Sequence, residues 1–129
     1  MPKLKIDIAD SEWFILKVLW ERAPLTAPDV TEALLDTKGW AYSTVRTIMD
    51  RMLVKGLLKS EKIRHIDLFR PAISRHQAQK SELLGTMKRA FNDALTPMLQ
   101  CLLETRDLSP EELAELEAML EAKRKGKKK

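Results

Sequence analysis

The side chains best suited to chemistry in this chain are the hydroxyls and arginines of residues 40–56. Apolar residues recur there every third or fourth position, which is the spacing of a buried helix face. They are Val45, Ile48, Met49, Met52 and Leu53. The opposite face carries Ser43, Thr44, Arg46, Thr47, Asp50 and Arg51. Short hydroxyl side chains allow close approach to the major groove, and arginine can donate two hydrogen bonds to the O6/N7 edge of guanine. The segment therefore predicts a DNA-recognition helix.

Positive charge is concentrated around this helix. Residues 46–70 contain seven Lys or Arg and three Asp or Glu, a local charge of +4. The charge of the whole chain is also +4, but six basic residues lie in the stretch 123–129, and residues 1–122 carry 17 Lys and Arg against 19 Asp and Glu. Phosphate binding depends on where charge clusters, so the local charge is the better indication of a nucleic-acid partner.

Two further short helices precede the candidate helix and would position it. Asp10-Ser11-Glu12 offers a start for helix 1, which we expect to reach about Arg22. Thr26 is a capping residue for helix 2, with Pro28 in its first turn and an end near Asp36. Helix 3 begins near Ser43, and Gly56 is suited to its end. This arrangement is typical of a helix-turn-helix.

The pattern changes to alternation after Gly56. Residues 57–63 and 65–70 alternate apolar with polar side chains, which predicts two strands of a hairpin before Pro71. The tip at Ile63-Arg64-His65 has no Asn-Gly or Asp-Gly signature. Lys62, Arg64 and His65 are either a charged edge that resists strand pairing or a clamp for DNA phosphates, and we favour the clamp. The hairpin would form a wing beside the helix-turn-helix.

From Ser74 onward the sequence is helical. Three capping signals divide it: Ser74 with Gln77, Thr96 with Pro97, and Ser109-Pro110 with a glutamate at 112. The apolar residues of these helices exceed what one copy could bury, which predicts pairing with a second copy. The candidate dimerisation residues are Leu84, Met87, Phe91, Leu95, Met98, Leu99, Leu102, Leu103, Leu113, Leu116 and Leu120. The lysine-rich residues 123–129 are predicted to be disordered.

The expected fold is therefore mostly α: a winged helix-turn-helix followed by a three-helix dimerisation region. We expect a DNA-binding domain at 1–71, a dimerisation domain at 72–122 and a basic tail at 123–129. The candidate DNA-binding residues are Thr26, Tyr42, Ser43, Thr44, Arg46, Thr47, Arg51, Lys62, Arg64 and His65.

Several of these residues have a second interpretation. Arg46 and Thr47 could be ordinary solvated surface, and Arg51 could brace the domain by pairing with a carboxylate. The three tryptophans could stack on single-stranded nucleic acid, but two of them lie seven residues apart on one helix face, which favours core packing. Cys101 is expected to act as a small buried hydrophobic residue, with a redox-responsive regulator as the alternative.

Other classes of function lack their signatures. The four glycines form no phosphate-binding loop, the two histidines lie in different predicted elements, and one cysteine can form neither an internal disulfide nor a zinc site. We expect no catalytic residues, no metal and no cofactor. The absence of a bilayer-length apolar run and of an apolar N-terminal stretch leads us to expect a cytoplasmic protein without membrane insertion.

The chain resembles the BlaI/MecI/CopY family of bacterial winged-helix repressors over nearly its whole length. The matching motifs are Glu12-Trp13, Val18-Leu19-Trp20, Leu25-Thr26-Ala27, Trp40, Thr44-Val45-Arg46-Thr47-Ile48, Arg51, Lys55-Gly56, Phe69-Arg70-Pro71, Ser74-Arg75 and Asp107-Leu108-Ser109-Pro110-Glu111-Glu112-Leu113. The resemblance implies a homodimeric repressor on an inverted repeat, with half-sites that are often of TACA/TGTA type, and possible control of antibiotic-resistance or stress genes. A winged-helix module that binds only proteins is the alternative.

The resemblance also bears on individual residues. It assigns Thr44, Arg46 and Thr47 to recognition-helix contacts and Arg51 to a position near phosphate or the core, whereas Tyr42 and Ser43 occupy variable positions. Antibiotic-sensing members are cleaved at an Asn-Phe bond through a sensor-linked protease, and this chain has Cys101-Leu102 there. Copper-responsive members carry a C-terminal CxCx4CxC cluster, which this chain lacks.

Overall fold

The computed structural model describes residues 6–127 and confirms a winged helix. Its elements are α1 (Asp10–Arg22), α2 (Ala27–Ala33), α3 (Tyr42–Lys55), β1 (Leu58–Ile63), β2 (Ile66–Pro71), α4 (Arg75–Phe91), α5 (Leu95–Thr105) and α6 (Pro110–Lys127). The chain divides into two compact units between Gly85 and Thr86, inside α4. The functional boundary expected after residue 71 stays a prediction.

The helix-turn-helix is α2 and α3. The Thr26 hydroxyl accepts the Asp29 N–H and the Asp29 carboxylate accepts the Thr26 N–H, both at 3.2 Å, so the predicted cap of α2 is confirmed. The expected end near Asp36 is wrong, because α2 stops at Ala33. The chain turns early there: the N–H groups of Lys38 and Gly39 both donate to the carbonyl of Leu34.

Gly56 ends α3 in a left-handed conformation, at φ +84°. The N–H of the next residue, Leu57, then donates to the Met52 carbonyl at 2.9 Å, which satisfies one of the last carbonyls of the helix. Leu57 and Leu58 are thereby delivered into the core, and β1 starts at once.

The core of the first unit lies between α1, the inner face of α3 and the wing. Four of the five residues of the predicted helix 3 stripe are buried, and Leu53 is only partly buried. The apolar side chains with no exposed surface are Ile15, Leu16, Leu19, Val30, Val45, Met49, Met52, Phe69 and Ala78, and Ile48 is 7% exposed. Trp13, Trp20 and Trp40 pack against this cluster, as predicted. Trp20 also donates its indole N–H to the Ile73 carbonyl at 3.0 Å.

The wing is an antiparallel hairpin with a two-residue tip. Ile63 pairs with Ile66, and Arg64 and His65 between them both have left-handed backbones, with φ of 51° and 70°. A tight hairpin of this kind is usually built with Asn-Gly, so Arg64-His65 is a weak indication of a two-residue turn. At the base of the wing, Phe69 exchanges two backbone hydrogen bonds with Leu25, of 2.8 and 3.2 Å.

The second unit begins partway along α4 and contains α5 and α6. The cap predicted at Thr96 is wrong: α5 starts at Leu95 with Ala94 as its capping position. Asn92 and Asp93 adopt left-handed conformations, and the Asp93 N–H donates to the Met87 carbonyl, so the chain reverses direction and re-enters a helix sooner than expected. The predicted box of Ser109 and Glu112 is confirmed, with bonds of 3.1 and 3.2 Å.

The expectation of a disordered tail is also wrong for the part of it that the structure describes. Helix α6 continues through Lys127, because alanine, lysine and arginine are good helix formers and extend a helix that has already started. The remaining residues, 128 and 129, lie outside the described part.

Apolar side chains of this unit lie on its surface. None of the residues of α5 is buried, and Leu102, Leu103, Met119 and Leu120 are all more than half exposed. Cys101, expected to be buried, is exposed as well. Within residues 6–127, none of the helices is both long and apolar enough to cross a bilayer.

Candidate nucleic-acid interface

The first turns of α3 present a continuous hydroxyl surface. Ser43, Thr44 and Thr47 are exposed on the side opposite the core, as the periodicity predicted. Together with Ile48 and Arg51 they line a shallow concavity. Three of its five lining side chains are short and carry a hydroxyl, which suits close approach of a groove edge.

Tyr42 lies at the start of α3 and is 47% exposed. It borders a second, apolar depression with Pro28, Thr31 and Leu35. Thr26 lies at the start of α2 and is half-buried. Its hydroxyl already accepts the Asp29 N–H in the cap of that helix. Thr26 is thus placed to fix the helix-turn-helix geometry, whereas Tyr42 is accessible to a ligand.

Arg46 leans from α3 toward the wing. Its Nε lies 3.1 Å from an Asp50 oxygen, one Nη lies 3.4 Å from Asp67, and its guanidinium lies over the Phe69 ring, 5.3 Å from the centroid. Burial acts to lower the pKa of Arg46, but the bonds to Asp50 and Asp67 outweigh it and raise that pKa. The guanidinium is therefore always charged, and its pairs with Asp50 and Asp67 connect α3 to the wing.

Arg51 and Lys55 meet a buried carboxylate. The Arg51 Nε lies 3.2 Å and the Lys55 Nζ 2.7 Å from Glu12, whose side chain is fully buried on α1. Burial acts to raise the pKa of Glu12, but hydrogen bonds from Lys55, the Ala9 N–H and Arg51 outweigh it and hold the pKa below its usual range. Arg51 therefore pairs with a carboxylate of the core, as the bracing alternative predicted, although half of its side chain stays exposed.

The wing tip is basic and exposed. Arg64 and His65 form the turn, and Lys62 lies 3.1 Å from Asp67 on the facing strand. The Lys62 bond, together with that from Arg46, holds the pKa of Asp67 below its usual range. Asp67 therefore connects Lys62 near the wing tip with Arg46 of α3.

Glu12 is the residue that the sequence interpretation missed. It lies on the face of α1 that also carries Ile15, Leu16 and Leu19, and a carboxylate in that spacing is a signal for a buried, paired charge. Asp50 and Asp67 were likewise counted only as opposing charge. Their role as partners of Arg46 depends on the fold.

A family model described as penicillinase repressor matches residues 8–122. The chain belongs to the penicillinase repressor family. The resemblance drawn from the sequence is thus confirmed, and as a member of a family of transcriptional repressors the chain is a DNA-binding repressor and not an enzyme. Among the residues that the structure describes, no three His, Cys, Asp or Glu side chains come together in a way that could hold a metal ion.

Individual relatives agree with this membership. The penicillinase repressor of Bacillus licheniformis is 29% identical over 121 residues, 94% of each chain, and the methicillin resistance regulatory protein MecI of Staphylococcus aureus strain N315 is 21% identical over 95% of this chain and all of that protein. The solution structure of the DNA-binding domain of the repressor BlaI matches 58% of this chain and 90% of its own, at 28% identity and a TM-score of 0.50. A solution structure of monomeric Bacillus licheniformis BlaI with the blaP half-operator matches equally well.

Proposed function

We propose that this repressor acts as a homodimer on an inverted-repeat operator, with each protomer reading one half-site. The observation that carries the proposal is the exposed hydroxyl face of α3 beside a basic wing tip, both in the first unit. The related BlaI was solved as a monomer with a half-operator, which supports one half-site for each copy. Such a repressor acts where chromosomal DNA lies, which in bacteria is the cytoplasm.

Each part of the surface has its own role in this proposal. Ser43, Thr44 and Thr47 approach base edges in the major groove, since they are short and unobstructed. The wing tip, through Arg64 and His65, contacts phosphates. Both contact types are needed, because phosphate contacts fix the register and base contacts supply the sequence preference.

Arg46 has a more constrained role. To donate hydrogen bonds to a guanine, Arg46 must break its ion pairs with Asp50 and Asp67. The loss of these two pairs offsets part of the free energy gained from the base contact. If it reads a base, Arg46→Ala weakens operator binding by about 1–3 kcal/mol while random DNA is little affected. An equal loss on operator and random duplexes would restrict Arg46 to phosphate contact or to bracing the wing.

The second unit supplies the dimer. Its helices make few contacts with one another, and its leucines are exposed, so a second copy is the natural cover for this face. The exposed dimerisation candidates of this unit are Leu95, Leu99, Leu102, Leu103, Leu113, Leu116 and Leu120, and the half-buried ones are Met87, Phe91 and Met98. Leu84, the remaining candidate, is exposed on the part of α4 that belongs to the first unit. A dimer also raises affinity, because the second half-site is bound intramolecularly.

The test combines operator binding with assembly state. An operator is selected from random duplexes with the full chain, and its Kd is measured by fluorescence anisotropy at several salt concentrations, with a scrambled duplex as control.

Leu102→Asp is compared with Glu104→Gln on the same helix. We expect Leu102→Asp to sediment as a monomer and lose tight binding to the full operator while its Trp fluorescence stays native. Retained affinity would refute the dimer, and affinity insensitive to salt and sequence would favour the protein-interaction module.

The release step concerns Cys101-Leu102. This bond lies inside α5, so a sensor-linked protease that acted there would need the helix to open locally. Control of antibiotic-resistance genes, release by such a protease and regulation through the exposed Cys101 thiol stay predictions.

A further inference from the structure

Glu12 is the one charged side chain that is fully buried in the described part of the chain. Both of its oxygens are engaged: Oε1 accepts the Ala9 N–H at 2.8 Å and Lys55 at 2.7 Å, and Oε2 accepts Arg51 Nε at 3.2 Å. The two cations come from the second half of α3, the helix that carries the candidate DNA surface. Glu12 therefore connects the interior of the unit to that surface.

Stability alone is a weak reason for such an arrangement. Removing a carboxylate from water is costly, and an apolar residue of similar size often stabilises a core at least as well as a buried ion pair does. A buried pair is better suited to specifying geometry. At this site the geometry that it specifies is the orientation of the Arg51 guanidinium.

Arg51 is held at one end only. Its Nε is bonded to Glu12, and none of the described residues accepts a hydrogen bond from its Nη groups. The side chain is half exposed and lines the concavity that Ser43, Thr44 and Thr47 share. A guanidinium is a rigid planar fork, so fixing Nε restricts the directions in which the four Nη hydrogens can point.

We propose that Glu12 is a positioning residue for DNA binding: it holds Arg51 by Nε so that the Nη groups are presented to a backbone phosphate at the edge of the α3 concavity. The inference rests on the proposed function, because it requires α3 to face DNA. Ordering the side chain before DNA arrives removes an entropic cost that a free arginine would meet on binding.

Lys55 provides the matched control. It donates to the same carboxylate, but it does not line the concavity. Lys55→Gln and Glu12→Gln both weaken the buried cluster, whereas only Glu12→Gln removes the negative charge that holds Arg51. A purely structural role for Glu12 would make the two variants alike in DNA binding.

The experiment is a double-mutant cycle on the full chain. Glu12→Gln, Arg51→Gln, Lys55→Gln and the Glu12/Arg51 double variant are compared with the wild type for Kd on the selected operator duplex, across a salt series. We expect Glu12→Gln to weaken binding roughly 2- to 10-fold, the size of the side-chain ordering cost. Arg51→Gln should weaken it further and reduce the salt slope by about one.

The decisive result is non-additivity. The double variant should bind no more weakly than Arg51→Gln, while Lys55→Gln lowers the unfolding midpoint and keeps Kd within about 2-fold of the wild type. Additive losses, or a Glu12→Gln variant with unchanged Kd, would overturn the inference. If Glu12→Gln fails to fold, Arg51→Lys replaces it: lysine keeps the charge without the planar fork, so binding should fall toward that of Arg51→Gln, and wild-type binding would overturn the proposal.

The outcomes also separate the two levels of inference. If Thr47→Val and Arg51→Gln both bind operator like the wild type, the α3 surface does not face DNA and the proposed function fails. If they weaken binding while the Glu12 effect is absent or additive, the positioning role alone fails.

Discussion

Phe69 is the side chain by which the wing is anchored, and truncating it tests how the first unit is built. It is fully buried, its backbone exchanges two hydrogen bonds with Leu25, and its ring lies beneath the Arg46 guanidinium. Phe69→Ala should lower the free energy of unfolding by roughly 3–5 kcal/mol, the usual cost of removing a buried phenyl ring. A small domain has only about 5–15 kcal/mol of stability, so the variant should be marginal.

Urea unfolding followed by Trp fluorescence and circular dichroism measures this loss. All three tryptophans pack on the core of the first unit, so their emission reports on that unit. Chain concentration is held constant, because association would add to the apparent stability. Phe14→Ala is the control. Phe14 is only partly buried, with its ring centroid 6.3 Å from that of Trp40, so its truncation should lower the free energy of unfolding by less. A loss below about 1 kcal/mol for Phe69→Ala would refute the anchoring role.

Three further outcomes follow from the same unit. Gly56→Ala should lower the free energy of unfolding by about 1–2 kcal/mol, because residue 56 has a φ of +84°, which an L side chain rarely adopts. The Kd for the operator should not change, since the added Cβ meets no atom within 4 Å. Unchanged stability would contradict this expectation. Arg64→Asn with His65→Gly should keep the hairpin yet weaken DNA binding and flatten its salt dependence, and wild-type affinity would exclude the phosphate clamp. Hydrogen bonds hold the pKa of Glu12 below the usual range of a glutamate, so its stabilising contribution is present above the ordinary glutamate pKa and is lost as the pH falls through the lower folded-state value. Glu12→Gln should therefore flatten the acid side of the stability curve, and an unaltered curve would contradict the burial of an ionised carboxylate.

The local features of the fold could be predicted from the sequence. The apolar spacing of α3 identified both its core face and its exposed hydroxyls, because a helix repeats every 3.6 residues whatever it packs against. Capping boxes located α2, α4 and α6 equally well, since each depends on residues three apart in the chain, as at Ser74 and Gln77.

Features that depend on distant residues could not be predicted. Glu12 and Arg51 are 39 positions apart, and Arg46 and Asp67 are 21 apart. The sequence offers several acidic partners for each arginine, and only the packing of α1 and the wing against α3 selects among them. The start of α5 was missed for a related reason: the turn at Asn92 and Asp93 competes with the cap signal at Thr96 and takes precedence over it.

The backbone bonds between Leu25 and Phe69 have a consequence for the DNA itself. They tie the wing at its base to the segment that leads into α2, so the hairpin cannot pivot freely against the helix-turn-helix. The span from the exposed face of α3 to the wing tip is then a fixed length of protein. If α3 and the wing tip both contact DNA, as proposed above, a duplex whose groove width departs from that span must deform or lose one of the two contacts, and the energy of deformation depends on its base sequence. The protein would in this way discriminate among sequences by their width and stiffness, at base pairs that no side chain reaches.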